Sequence, residues 1–198
     1  MSDFQPLVES NRRLTETVEN KVGEIDAATE QMRKDFETFM SDRERIGNGE
    51  PGSRRLNIYQ NVLYQGYDHV PDSEKPEGWV DNNANLYLHF KTKFNTITKN
   101  GMFHFRIQGY AYGQAAIIDE TLAGYSYTTS NQVINIGTFG SHEPTVYRAP
   151  NGDVYLRLKA TNLYYWSFYV DTMNASGGLP NKGDVELIVS PNATLNNY

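Results

Sequence analysis

Four histidines and one acidic loop are the residues whose types could do chemistry in this chain. His69, His89, His104 and His142 are scattered, and none belongs to an H-E-x-x-H or H-x-H ligand spacing. No G-x-S-x-G elbow is present. The loop from Tyr67 to Asn85 carries Asp68, Asp72, Glu74, Glu77 and Asp81. Two of those carboxylates at the right separation could cleave a glycosidic bond, and His69 beside Asp68 or Asp72 could hold a cation. An acidic loop that also contains Pro71, Pro76 and Gly78 is more often simply solvated. Gly47 and Gly49 follow a helical pattern rather than joining a strand to a helix, so they do not cradle phosphate. The reading is non-enzymatic, with no catalytic residue, metal or cofactor expected.

The stronger signal is aromatic. The chain has 14 Tyr and 2 Trp, all at or beyond Tyr59. Tyr and Trp offer rigid faces with a polar edge, which suit sugar rings and protein patches alike. Trp79 lies in the acidic loop. Tyr110 and Tyr112 share a strand face with Arg106 and, across an expected turn, with His89. Tyr125 and Tyr127 alternate with Gly124 and Ser126. These seven residues are the binding candidates. Each is also compatible with a place in the core or at an oligomer interface. Trp166 has the period of Phe168 and Val170 and reads as core.

Strands must position these residues. Leu56 to Tyr64 alternates as a first strand. Asn100-Gly101 is a two-residue turn signal, and pairing outward from it predicts a hairpin from Leu86 to Tyr112. That register sets Phe94 opposite Ile107 and Thr96 opposite Phe105 on an apolar face, with His89 opposite Tyr112 and Asn95 opposite Arg106 on a wet one. A second hairpin flanks Pro150-Asn151-Gly152, joining residues 145–148 to 153–159. Tyr165 to Asp171 and Asp184 to Val189 read as later strands, with shorter apolar pieces at 115–118, 123–127 and 133–136. Eight to ten short strands without intervening helices predict an antiparallel β-sandwich over residues 56–198.

Residues 1–46 read differently. Phe4, Asn11, Val18, Ile25, Met32, Phe39 and Ile46 recur every seventh position, and six of the seven are apolar. A second column begins with Leu7 and Leu14, and Val8, Val22 and Phe36 flank the seam. This is a coiled-coil pattern, with Asn11 as a register-setting polar residue. A helix of this length spans roughly 60 Å. The same stripe could also fold back on the head, and the seam alone leaves dimer and trimer open. A breaker cluster, Gly47-Asn48-Gly49-Glu50-Pro51-Gly52, marks a hinge at 47–55. The stalk region holds 11 acidic and 7 basic residues, a net charge of −4 out of −6 for the chain. An acidic chain without a basic block argues against nucleic-acid and anionic-membrane partners. No signal peptide or transmembrane span is read. The absence of cysteine removes disulfides and thiolate sites.

Coiled coil, Gly-rich hinge and Tyr-rich β head together resemble bacteriophage fibre and receptor-binding proteins. The local resemblance is carried by Asn135-Ile-Gly-Thr-Phe139, the strand Asp153 to Lys159, and the aromatic run Tyr164-Tyr-Trp-Ser-Phe-Tyr-Val-Asp-Thr-Met-Asn-Ala-Ser176. It implies a virion-located homotrimer displaying three heads to host cell-surface glycan or protein, and joined to other virion proteins through its amino-terminal region. Fibre heads of this kind usually follow a long shaft, whereas here Met1 leads almost directly into the coiled coil. A decoration fibre without a specific receptor is the structural alternative. A capsular polysaccharide depolymerase is the enzymatic one.

Overall fold

The computed structural model of the chain describes residues 4–43, 45–46, 54–75 and 85–196. The chain divides into two compact units, Met1–Arg43 and Glu44–Tyr198.

The first unit is one helix, α1 (Gln5–Arg43). Gly23 is its only glycine, and Pro6 sits in the first turn, where a missing N–H breaks no intrahelical bond. Its ion pairs link Glu9 with Arg12 and Arg13, Arg12 with Glu16, and Arg33 with Glu30 and Glu37. These lie on the side opposite the heptad column, whereas Lys21, in the second column after Leu7 and Leu14, pairs with Glu24 at 2.6 Å. On the column and its flank, Phe4, Leu7, Val8, Leu14, Val18, Val22, Ile25, Met32 and Phe36 are each 51–71% exposed in the single chain. The helix stops three residues short of the expected end. Ile46 is not a helical seam position: β1 (Arg45–Ile46) pairs antiparallel with Arg54–Arg55, and that ladder takes up backbone groups a further helical turn would use. Residues 47–53 of the hinge lie outside the described residues, as do the side chains of Phe39 and Ile46.

The second unit is mainly β, two antiparallel sheets. One has six strands, in the order β1, β2 (Arg54–Gln65), β9 (Tyr164–Met173), β4 (Gly101–Ala111), β5 (Ala116–Tyr127) and β6 (Gln132–Phe139). The other has four, in the order β10 (Val185–Ser190), β3 (Leu86–Asn95), β8 (Asp153–Ala160) and β7 (Thr145–Arg148). Alternation puts every second side chain of each strand on one face. The inner faces meet in a single core that includes Phe90, Leu156 and Leu158 from one sheet and Phe105, Ile107, Trp166 and Val170 from the other. Phe90 meets Phe168 edge to face across the layers, with centroids 5.7 Å apart. Trp166 is wholly buried, and its indole N–H donates to the Asn162 carbonyl, so the ring carries no unsatisfied polar group into the core.

The expected hairpin from Leu86 to Tyr112 does not form. β3 pairs with β8 and β10, while β4 pairs with β5 and β9. The two strands lie in different sheets, with Phe94 against Phe103 at 5.1 Å. Local chemistry explains the crossover. The Asn95 side-chain oxygen accepts the N–H groups of Ile97 and Thr98, which turns the chain out of β3. The Thr96 N–H donates to the Gly152 carbonyl. The Asn100 side chain accepts from Thr128 N–H. Two strands with one apolar face each can be neighbours in a layer or face each other across one, and here they face each other.

The hairpin at 145–159 forms around Gly152, whose φ of +88° suits glycine, with Tyr147 opposite Tyr155. The apolar pieces at 115–118 and 123–127 belong to one strand, β5. The acidic loop contains two short 3₁₀ turns, Gly66–His69 and Asp72–Glu74. Residues 76–84 of that loop, including Trp79, lie outside the described residues.

Candidate binding face

With Leu63, Trp166, Phe168 and Ile107 turned inward, their neighbours in sequence must face out from the six-stranded sheet. Register brings those neighbours into rows that cross four strands. Val62 is opposite Ser167, Ser167 opposite Tyr110, and Tyr110 opposite Ile117. In the next row Gln60 is opposite Tyr169, Tyr169 opposite Gln108, and Gln108 opposite Asp119.

At the end of these rows four tyrosines touch. Tyr64 lies 4.6 Å from Tyr165 and 5.5 Å from Tyr164 by ring centroids. Tyr112 lies 6.1 and 6.2 Å from the same two rings. Successive strand residues normally point to opposite faces. Tyr164 and Tyr165 do not, because Tyr165 has φ +51°, a left-handed conformation rare for an aromatic residue. Both rings therefore join one cluster, 5.1 Å apart. The Tyr164 hydroxyl is held above the ordinary tyrosine value, first by its hydrogen bond with Tyr64. It stays a neutral donor and acceptor.

Beside the cluster runs a groove of about 580 Å³, lined by Gln60, Asn61, Val62, Gly109, Tyr110, Ser167, Phe168 and Tyr169. No lining residue is charged. Gly109 forms its floor: a Cβ there would sit 2.0 Å from the Ser167 carbonyl, so only glycine lets β4 and β9 approach this closely. The Tyr169 hydroxyl donates to Gln108 at 3.2 Å. The Gln60 side-chain oxygen accepts from Asn57, which leaves its amide as the donor. One row further on, Arg106 makes a two-pronged pair with Asp119 at 2.9 and 3.0 Å. Each holds the other charged: the Asp119 carboxyl is lowered and the Arg106 guanidinium raised. Charge at the edge of the groove is thus already matched.

The candidates from sequence fall into three places. Arg106, Tyr110 and Tyr112 do share this face. Tyr125 and Tyr127 are on the same sheet, half-buried and 5.9 Å apart. Tyr125 belongs to a separate apolar cavity of about 500 Å³ with Met102, His104, Ile134 and Met173. His89 is corrected. It does not lie on a wet face opposite Tyr112 but is wholly buried in the four-stranded sheet. Its Nε2 meets the Asn192 carbonyl at 2.9 Å, so it carries the proton, and Nδ1 accepts from the Tyr147 hydroxyl at 2.8 Å. Burial pushes its pKa down to about 4. Tyr64, Tyr164, Tyr165 and Tyr169 escaped sequence reasoning as site residues. The alternation of Tyr165, Ser167 and Tyr169 against Trp166 and Phe168 was the available signal.

A second polar site lies around His142, in a pocket of about 490 Å³ lined also by Gln114, Ser141, Lys159 and Asn162. Glu120 is wholly buried in β5, and its Oε1 lies 2.6 Å from His142 Nδ1. The same oxygen accepts the backbone N–H groups of Ser141 and His142. Ser141 Oγ also approaches Nδ1, at 3.2 Å, while Nε2 faces the Gln114 side-chain oxygen. A relay needs its hydroxyl and its carboxylate on opposite ring nitrogens. Here both address the same one, and the cluster pins the 140–143 turn to β5. Among the described residues no group of three or more His, Cys, Asp or Glu is placed to hold a metal ion. Comparison with known proteins gives no match: no family model fits the chain, and no curated protein or solved structure resembles it significantly.

Proposed function

We propose that the chain is a homotrimeric virion fibre. Its helix gathers three copies, its amino-terminal region meets other virion proteins, and its β-sandwich head engages a host cell-surface glycan or protein. The observation that carries this reading is the helix. It presents an apolar heptad stripe whose side chains are more than half exposed, with most of its ion pairs on the opposite side. A seam broadened by Val8, Val22 and Phe36 suits more than two strands. The exposed tyrosine face supports the receptor half of the reading. Three weakly binding heads on one stalk would gain avidity through effective concentration.

Mass in solution tests the assembly. Sedimentation of the full chain is expected to give three times the 22.5 kDa chain mass. A monomer at micromolar concentration would sink the stalk and most of the fibre argument with it.

A further inference from the structure

We infer that the outward face of the six-stranded sheet, from the Tyr64–Tyr112–Tyr164–Tyr165 cluster along the Gln60–Tyr169 groove, takes an uncharged saccharide chain. This deepens the receptor half of the fibre reading and rests on it for its biological setting. The chemistry rests on the face itself.

Three observations point to that ligand. The first is the lining: the faces of Tyr110 and Tyr169, the Gln60 side-chain amide and the Ser167 hydroxyl, with no cation or anion. Aromatic faces pack on the C–H faces of sugar rings, and amides and phenols pair with ring hydroxyls. An acidic sugar would need a free cation. Arg106, the cation of the neighbouring rows, is engaged by both oxygens of Asp119. The second is Tyr165. A non-glycine residue in the left-handed region is typically strained. That conformation brings Tyr164, which alternation would turn inward, into one outer cluster with Tyr165, whose ring is 44% exposed. Strain retained for an exposed aromatic side chain marks a binding surface rather than a packing need. The third is size. The groove lies within the ~300–1,000 Å³ range of small-molecule sites, and the tyrosine cluster continues it along the strands. An apolar protein partner fits less well, because Val62 and Ile117 are the only exposed aliphatic side chains of the two rows and both lie at row ends.

Saturation-transfer NMR and calorimetry on the full-length chain test this. The probes are maltotetraose, cellotetraose and chitotetraose, with tetragalacturonate as the acidic counterpart. At least one neutral tetramer is expected to bind at millimolar or better affinity, with little change between low and high salt. Tyr112→Ala and Tyr165→Asn should each weaken that binding tenfold or more. Ile97→Ala, exposed on the turn after β3, should leave it unchanged. Asn tolerates φ > 0, so Tyr165→Asn should leave the thermal midpoint unchanged or raise it. A fall in the midpoint would show that the ring serves the fold, and would overturn the inference. So would binding of tetragalacturonate alone, binding insensitive to both tyrosine variants, or no binding of any neutral tetramer. The mass of the same sample separates the two ideas, since a trimer that binds no neutral sugar keeps the stalk and loses the saccharide face.

Discussion

In the sheets, Trp166, Phe90, Phe105 and Leu156 lose all contact with solvent, while in the helix Val18, Ile25 and Met32 stay more than half exposed. The sheets close their core within one chain: each inner face finds its complement in the other layer. The helix has an apolar stripe too, at heptad rather than alternate spacing, and its side chains stay exposed. A lone helix of this composition is marginal in water, because helical stability in proteins comes mainly from packing an apolar face. The contrast assigns different tasks to the two units. One buries its apolar faces among its own strands, and under the fibre reading proposed above the other is completed by copies of itself.

Val18→Asp combined with Ile25→Asp attacks that contrast most directly. Charges on adjacent seam turns should abolish assembly, reducing the sedimenting mass to that of one chain, and the helical far-UV signal should fall. The near-UV signal of the buried aromatics should persist, since Val18 and Ile25 are not among the buried residues of the sheet core. Joint loss of both signals would show that the two units depend on each other, and the contrast would fail.

Trp166→Ala asks the converse. Removing a wholly buried Trp typically costs ~3–5 kcal/mol through lost contacts and a residual cavity. It also frees the Asn162 carbonyl. Urea unfolding followed by tyrosine fluorescence should show a loss of that size, while the mass below the transition stays that of the wild type. A loss under ~1 kcal/mol would mean that the ring is not the core element its burial indicates.

What was legible in the sequence follows the range of the interactions. The alternation of Trp166, Phe168 and Val170, and the turn at Asn151-Gly152, are local, and both survive in the structure. The amino-terminal region is one helix and the rest is mainly strand. Partner choice between strands is not local. The same alternation in β3 and β4 fits neighbours in one layer or facing layers, and the Asn100-Gly101 signal favoured the wrong one because Asn100 serves Thr128 instead. β5 was split into fragments because the buried Glu120 interrupts its apolar run. The face was half legible for the same reason. Arg106 and Tyr110 share a strand, whereas joining them to Tyr64 and Tyr165 requires knowing that β2, β9 and β4 are adjacent. His89 does point outward from its sheet, but residues 192–195, a hundred positions away, cover it.

That cover supplies the finest test of how the sheet unit holds itself together. The segment is tied down by His89 Nε2–H to the Asn192 carbonyl, Leu195 N–H to the Tyr147 hydroxyl, and Arg157 to the Ala193 carbonyl. Arg157 also stacks over Tyr87, at 5.1 Å. All three ties hold with His89 neutral. Its pKa is about 4 in the fold against 6.5 when unfolded, driven first by burial and further by the Arg157 charge, with the Asn192 carbonyl opposing. A depressed value means that the unfolded chain takes up a proton first as pH falls. Stability is therefore full above pH 6.5, declines down to about pH 4, and levels off below. The whole shift corresponds to roughly 3 kcal/mol. His104, also lowered first by its partial burial, adds in the same direction. The readout is consequently the difference between the wild type and His89→Gln in urea midpoints at pH 7.5, 5.5 and 4.5. The variant should be less stable at pH 7.5 and lose less on acidification. Parallel profiles would mean that His89 is reached by solvent and that the carboxyl-terminal segment does not seal it.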